Sequence, residues 1–202
     1  MNTQKPRLLT TDTLVVQETR TVMRSEYSIF DENGTEIAQI TQAGPLGKRM
    51  LGIDIQYDVF DVDKNGERGD KLLTLTDPSS AFGVTYKVLT PNGAQIATVK
   101  TKRFSLKSRL TLSVKGLSDV DVDGGYRGKN YALTSKGRPV AKIDRQTRGL
   151  KSAISGKDTY ALHLEPSLSD ETRAAVIGTA LVIDIVWRKT NEAVAVSATA
   201  GA

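Results

Sequence analysis

Cysteine is missing from the chain altogether, which excludes disulfides, thiolate metal sites, cysteine nucleophiles and S-acyl anchors together. There is one histidine, His163, so a Ser-His-Asp triad would have to use it, and no G-x-S-x-G elbow accompanies it. His163 also falls on the outward parity of an alternating stretch, the place of an ordinary surface histidine. Aromatic residues make up only 5% and do not interleave with the basic runs, which argues against nucleic acid as a partner. GYRGKN at residues 125–130 lacks the GK[ST] ending of a phosphate loop. No continuous apolar run follows Met1, so neither a signal peptide nor an N-terminal anchor is indicated. The expectation is a cytoplasmic protein without catalytic machinery, peripheral to a membrane if it meets one.

What is present is 202 residues, with 28 Lys and Arg against 23 acids and a pI near 9.4. The length suits one domain, and the mild basic excess favours phosphate-bearing partners without demanding them. Residues 1–12 read as a flexible lead-in and residues 190–202 as a loose tail, leaving 13–189 as the folded unit. Up to about residue 165 the pattern is short runs of Val, Ile, Leu, Thr and Tyr broken by glycine turns. The turn signals imply about ten to twelve strands, too many for one flat sheet and suited to a barrel or sandwich.

Three hairpins are copies of one another. Residues 27–40 (YSIFDENGTEIAQI) and 86–99 (YKVLTPNGAQIATV) align without a gap, and residues 131–143 (YALTSKGRPVAKI) follow one residue shorter. Each is a strand, a glycine turn and a second strand. A calcium-loop pattern, D-x-[DN]-x-[DN]-G, appears twice: Asp61, Asp63 and Asn65 in one stretch, Asp119, Asp121 and Asp123 in the other. Their twelfth positions are Leu72 and Asn130, where a bidentate Glu belongs, and no helix flanks either. The competing reading is an Asx-rich turn with its acids in solvent. Calcium is therefore the one cofactor considered, and otherwise none is expected.

Residues 104–115 alternate, with Lys107, Arg109 and Lys115 on the outward face, and Lys100 and Lys102 precede them on the same side. Lys100, Lys102, Lys107 and Arg109, with Arg103 beside them, form a candidate anion-binding patch; its competitor is a merely solvated strand face. Residues 169–189 (SDETRAAVIGTALVIDIVWRK) predict a helix capped by Ser169, or by a capping box from Ser167 to Asp170, and apolar on every side. Its apolar core is shorter than the roughly 20 residues of a spanning helix, so it belongs inside protein. Gly178 marks a close approach, and a buried Asp184 needs a hydrogen-bonded or cationic partner from the wall.

The Tyr-x-Ile-x-Asp hairpins, the opening LVVQETRTVMRSEYSIFDENGTEIAQI and the closing DTYALHLEP…AAVIGTALVIDIV resemble the Tubby C-terminal-like superfamily. The likeness is to its LURP-one-related and phospholipid-scramblase-like members, and it covers residues 13–189. It implies a closed antiparallel barrel of twelve strands threaded by the C-terminal helix, with an acid where Asp184 stands. It further implies a non-enzymatic binding or scaffold module for anionic phospholipid, phosphoinositide or a protein partner. The alternative is a scramblase-like, membrane-active protein, but the acidic calcium segment of scramblases is replaced here by HLEPSLSDE.

Overall fold

In the computed structural model, residues 5–20, 25–43, 54–79, 84–101, 110–123, 130–145 and 159–199 are described. A 3-10 turn, Arg7–Leu9, precedes twelve strands. They are β1 Thr13–Arg20, β2 Ser25–Phe30, β3 Glu36–Ala43, β4 Ile55–Val62, β5 Arg68–Asp77 and β6 Thr85–Leu89, then β7 Gln95–Thr101, β8 Leu110–Val114, β9 Val120–Asp123, β10 Asn130–Ser135, β11 Arg138–Asp144 and β12 Thr159–Leu164. One helix, α1 Asp170–Thr199, follows. The strands form a single sheet in the order β8-β7-β6-β5-β4-β3-β2-β1-β12-β11-β10-β9, with every neighbouring pair antiparallel. The expected fold is the observed one: a nearly closed twelve-stranded barrel with a single C-terminal helix. Its two edge strands, β8 and β9, are consecutive in the chain, and residues 115–119 join them.

The helix is enclosed because its sequence leaves no side fit for water. Ala175, Val176, Ile177, Ala180, Leu181, Val182 and Ile183 are all buried, and so are Leu14, Ile29, Val59, Leu75, Val88, Leu133 and Leu162 of the wall. Ser169 caps α1, accepting the Thr172 N–H on its hydroxyl at 3.3 Å, so Ser167 is not the capping residue. A Cβ at Gly178 would lie 2.4 Å from Val88 Cγ1, so the helix reaches β6 only because that position has no side chain.

The sequence repeat is a structural repeat. The tyrosine that opens each copy faces the last apolar residue of the same copy across its hairpin: Tyr27 with Ile40, Tyr86 with Val99, Tyr131 with Ile143. In each copy the register also shifts two residues after the tyrosine, at Ile29/Phe30, Val88/Leu89 and Leu133/Thr134.

Strand direction sorts the connections between two poles. The turns after β2, β4, β6, β8 and β10 lie at the pole where α1 begins, and each uses a glycine with φ between 73° and 85°: Gly34, Gly66, Gly93, Gly116 and Gly137. Residues 21–24, 44–54, 78–84, 102–109, 124–129 and 145–158 join strand ends at the other pole, where α1 leaves.

Two boundaries differ from the sequence reading. The segment taken as a flexible lead-in holds Leu8 fully buried in the core, and Arg7 donates to the backbone carbonyls of Glu36 at 2.7 Å and Val62 at 3.2 Å. One apolar residue in a polar stretch carries no periodicity, so nothing marked Leu8 as core. At the other end the helix runs ten residues past Lys189 to Thr199, because Asn191 to Thr199 contain neither Gly nor Pro to stop it.

Candidate functional site

Where α1 leaves the barrel, its apolar surface gives way to charge held by an aromatic wall. Asp184 meets two guanidiniums: Arg145 Nη2, just past β11, lies 2.7 Å from its Oδ1, and Arg188 Nε, one turn on, lies 3.2 Å from its Oδ2. Arg188 Nη1 in turn lies 2.5 Å from Glu18 Oε1 on β1, and Lys189 pairs with Asp77 at the end of β5. Rings cover the cations. Arg145 stacks 4.1 Å from the Trp187 centroid, Arg188 lies 4.5 Å over Tyr27, and Lys189 sits 5.5 Å from Tyr86. Three of these groups come from the repeat or its neighbours in register, so the duplicated tyrosine serves one end of the lumen.

The electrostatics are those of a lock. Burial pushes the Tyr131 and Tyr160 hydroxyls well above the ordinary phenol range, so both stay neutral. Burial alone would lower Arg145, but Asp184, Tyr131 and Tyr160 outweigh it and keep the guanidinium charged. Among the described residues the Tyr160 hydroxyl has no hydrogen-bond partner, and Arg145 Nη2 faces Asp184 as a close ion pair. The arrangement contains no nucleophile with an adjacent base. It fixes the helix to β1, β5 and the end of β11.

The remaining sequence candidates scatter. Lys100 is exposed on β7, whereas Lys102, Arg103, Lys107 and Arg109 lie outside the described residues. Lys100 is joined by Lys87, which the sequence reading passed over although its alternation in YKVL puts it outside. The two lysines stand in adjacent outward rows, Thr76–Lys87–Thr98–Ser113 and Thr85–Lys100–Thr111, with no acid in either row. His163 is exposed, with Nδ1 3.3 Å from Thr13 Oγ1.

Neither calcium-like stretch forms a loop around a point. Asp61 lies within β4, half-buried, and burial raises its pKa despite the nearby Arg7. Asp63 is the first residue of a hairpin turn: its Oδ1 accepts the N–H groups of Asn65 and Glu67, each at 2.8 Å. Asn65 is exposed in the same turn. Asp31 does the same for Asn33 and Thr35, both at 2.9 Å, so D-x-N-G here is the hairpin motif of the repeat. Asp119 takes φ 51° in the β8–β9 turn, and Asp121 and Asp123 alternate outward on β9. Among the described residues no three His, Cys, Asp or Glu side chains are grouped to hold a metal.

The sequence matches the model of the LURP-one-related family over residues 12–184. The chain belongs to that family. Its fold is also that of a LURP-one-related protein from Arabidopsis thaliana solved by X-ray crystallography, with a TM-score of 0.51 at 14% identity, over 93% of this chain and 96% of that one. No curated protein matches it in sequence. Among the described residues of this LURP-one-related chain, no helix is long and apolar enough to cross a membrane.

Proposed function

We propose that this LURP-one-related barrel is a non-enzymatic module that docks on anionic phospholipid head groups with the pole where α1 leaves. The observation that carries the reading is how the chain distributes its charge between the poles. The connections that join strand ends at that pole contain Arg24, then Lys48 and Arg49, then Lys102, Arg103, Lys107 and Arg109, then Arg127 and Lys129, then Arg148, Lys151 and Lys157. Their only acids are Asp54 and Asp158. The connections at the opposite pole hold Asp31, Glu32, Asp63, Glu67, Asp119 and Glu165 against Lys64, Lys115 and Lys136, and Asp170 and Glu171 of the helix start pair with Lys5 and Lys115. A molecule so polarised is turned by the negative potential of a bilayer leaflet, and each basic residue near the surface adds about 1 kcal/mol. Lys87 and Lys100 extend the cationic face down the side of the barrel.

The scramblase-like alternative needs α1 in the bilayer, and nothing in the geometry favours it: the helix is tied to the wall at Glu18, Asp77 and Arg145. Co-sedimentation with phosphatidylcholine vesicles, with and without phosphatidylserine or phosphoinositide, tests the docking reading. Binding only to the anionic vesicles, weakened by salt and by Lys107→Glu with Arg109→Glu, supports it. Equal recovery with neutral vesicles, or binding unchanged in the double variant, removes it. A protein partner would then be the remaining reading.

A further inference from the structure

Among the described residues the barrel wall is broken between β8 and β9. The turn 115–119 joins these edge strands at one end, yet no ladder links them. On the strands beside them the inward side chains are buried, Ala97 and Val99 on β7 and Tyr131 and Leu133 on β10. Leu110 and Leu112 of β8 and Val120 and Val122 of β9 pack against the same core but are only half-buried. Hydrogen-bond alternation fixes where the two lips aim their backbones. The Lys115 N–H donates to the Ile96 carbonyl at 2.8 Å, so Ser113 and Thr111, on the same parity, also turn their backbone groups to β7. Those of Leu112 and Leu110 point into the break. The Lys136 N–H donates to the Asp119 carbonyl at 3.4 Å, so Asp121 and Asp123 face β10 while Val120 and Val122 face the break. Each lip therefore presents apolar side chains to the lumen, and backbone N–H and C=O groups with no strand partner among the described residues.

We infer that this break is a strand-addition site for an extended peptide segment of another protein, one that alternates apolar with basic residues and pairs along β9. Backbone donors and acceptors at a sheet edge are satisfied by another backbone, whereas a hydrocarbon chain would leave them unpaired. The two-residue period of a strand then sets the side-chain chemistry of the guest. Every second guest residue faces the lumen beside Leu112, Val120 and Val122, a place for apolar groups. The residues between them face outward beside Asp121 and Asp123, both exposed on β9. Opposite charges on neighbouring strands attract and like charges repel, so those outward residues are Lys or Arg. The β8 lip is neutral toward them, since its outward residues are Thr111 and Ser113. A second copy of the chain is a poorer guest: its β9 would set carboxylate against carboxylate, and its β8 offers only those hydroxyls. The site uses none of the helix-exit ion pairs and stands apart from the lipid-docking reading.

Fluorescein-labelled synthetic peptides serve as probes of the full chain, one alternating valine with lysine and one alternating valine with glutamate. Fluorescence anisotropy is expected to rise when the protein is added to the lysine peptide and to stay flat with the glutamate peptide. Proline in place of the central valine of the lysine peptide removes a ladder hydrogen bond and is expected to weaken binding about tenfold. The variant Asp121→Lys with Asp123→Lys is expected to bind the lysine peptide about tenfold more weakly while its melting temperature stays that of the wild type. A readout on the wild type alone is hydrogen exchange followed by NMR, in which the amides of Leu112 and Val122 are expected to gain protection with the lysine peptide bound. Indifference to the proline, to the sign of the peptide charge or to the double substitution overturns the site, as does amide exchange that the peptide leaves unchanged. Absence of binding overturns it too. Self-association that the double variant loses, with no peptide bound, would make the break an interface between copies instead.

Discussion

Asp184 on the helix and Arg145 beyond β11 meet at 2.7 Å inside a barrel whose buried side chains are mainly apolar. Two buried charges gain less from each other than each loses by leaving water, so the pair adds little net stability while either partner alone is costly. Asp184→Leu, which strands Arg145 and Arg188 without their shared acid, is expected to lower the unfolding free energy by about 3–5 kcal/mol. Adding Arg145→Met should recover a large part of that loss. Urea denaturation of the two variants decides it: an unchanged midpoint in Asp184→Leu would mean the carboxylate has no structural role.

Gly178 and Val88 test the fit of helix to wall. Gly178→Ala gains about 1 kcal/mol of helix propensity but drives a methyl into Val88, a strain of about 1–3 kcal/mol. The net expectation is destabilisation that Val88→Ala relieves. If a double-mutant cycle shows no coupling between the two positions, the close approach is not what selects glycine there.

Asp63 carries a prediction in pH. Hydrogen bonds from the Glu67 and Asn65 backbones hold its carboxyl below the usual carboxylate range. A group depressed in the folded state contributes stability that is full above its unfolded pKa and disappears as pH falls through the folded one. Asp63→Ala should therefore lower the melting temperature near neutral pH, with the difference from wild type closing in acid. Because this carboxylate is already engaged by its own turn, adding calcium is expected to leave the wild-type melting temperature where it was. A calcium-dependent rise that Asp63→Ala abolishes would restore the metal reading.

Asp61 runs the other way. Burial raises its pKa and its Oδ1 has no partner among the described residues, so ionisation works against the fold. Asp61→Asn is expected to match or exceed wild-type stability above the folded pKa, and the advantage should vanish as pH drops and the wild-type acid is protonated. Thermal melts across that range would expose the opposite sign if Asp61 is held by an unrecognised cation.

Leu8 contributes to the core from a segment that reads as a tail. Its replacement by Ala is expected to cost about 2–5 kcal/mol, as for a fully buried leucine, against a few tenths for an exposed one. Circular-dichroism melts of Leu8→Ala separate the two cases.

Most of the architecture was legible because it is written in local signals. Alternation and glycine turns mark strands, and a helix apolar on every face must be enclosed. The repeat exposed the hairpins, since Tyr27 and Tyr86 stand seven residues before Gly34 and Gly93, and Tyr131 six before Gly137. The ion pairs of the helix-exit pole were half legible: the four-residue step from Asp184 to Arg188 is visible in a helix, but Glu18 lies far away in sequence and only barrel closure brings it near. The acids at Asp119, Asp121 and Asp123 misled for a related reason. A short pattern cannot tell a loop that converges on a cation from an edge strand that sends alternate carboxylates into solvent. Leu8 was invisible because a single burial leaves no period.

The enclosed helix has a consequence for the order of events during synthesis. Its residues leave the ribosome after all twelve strands, yet those strands have nothing else to pack their inner faces on. The hairpins can zip locally as they emerge, but the pairing of β1 with β12, which brings Thr13 beside His163, must wait for nearly the whole chain. Until then the nascent sheet presents its Val, Ile and Leu row to water, and to other nascent sheets. A ribosome stalled before residue 170 would hold a molecule with every wall and no interior. For this barrel the codons of residues 170–199 decide between a filled interior and an aggregate.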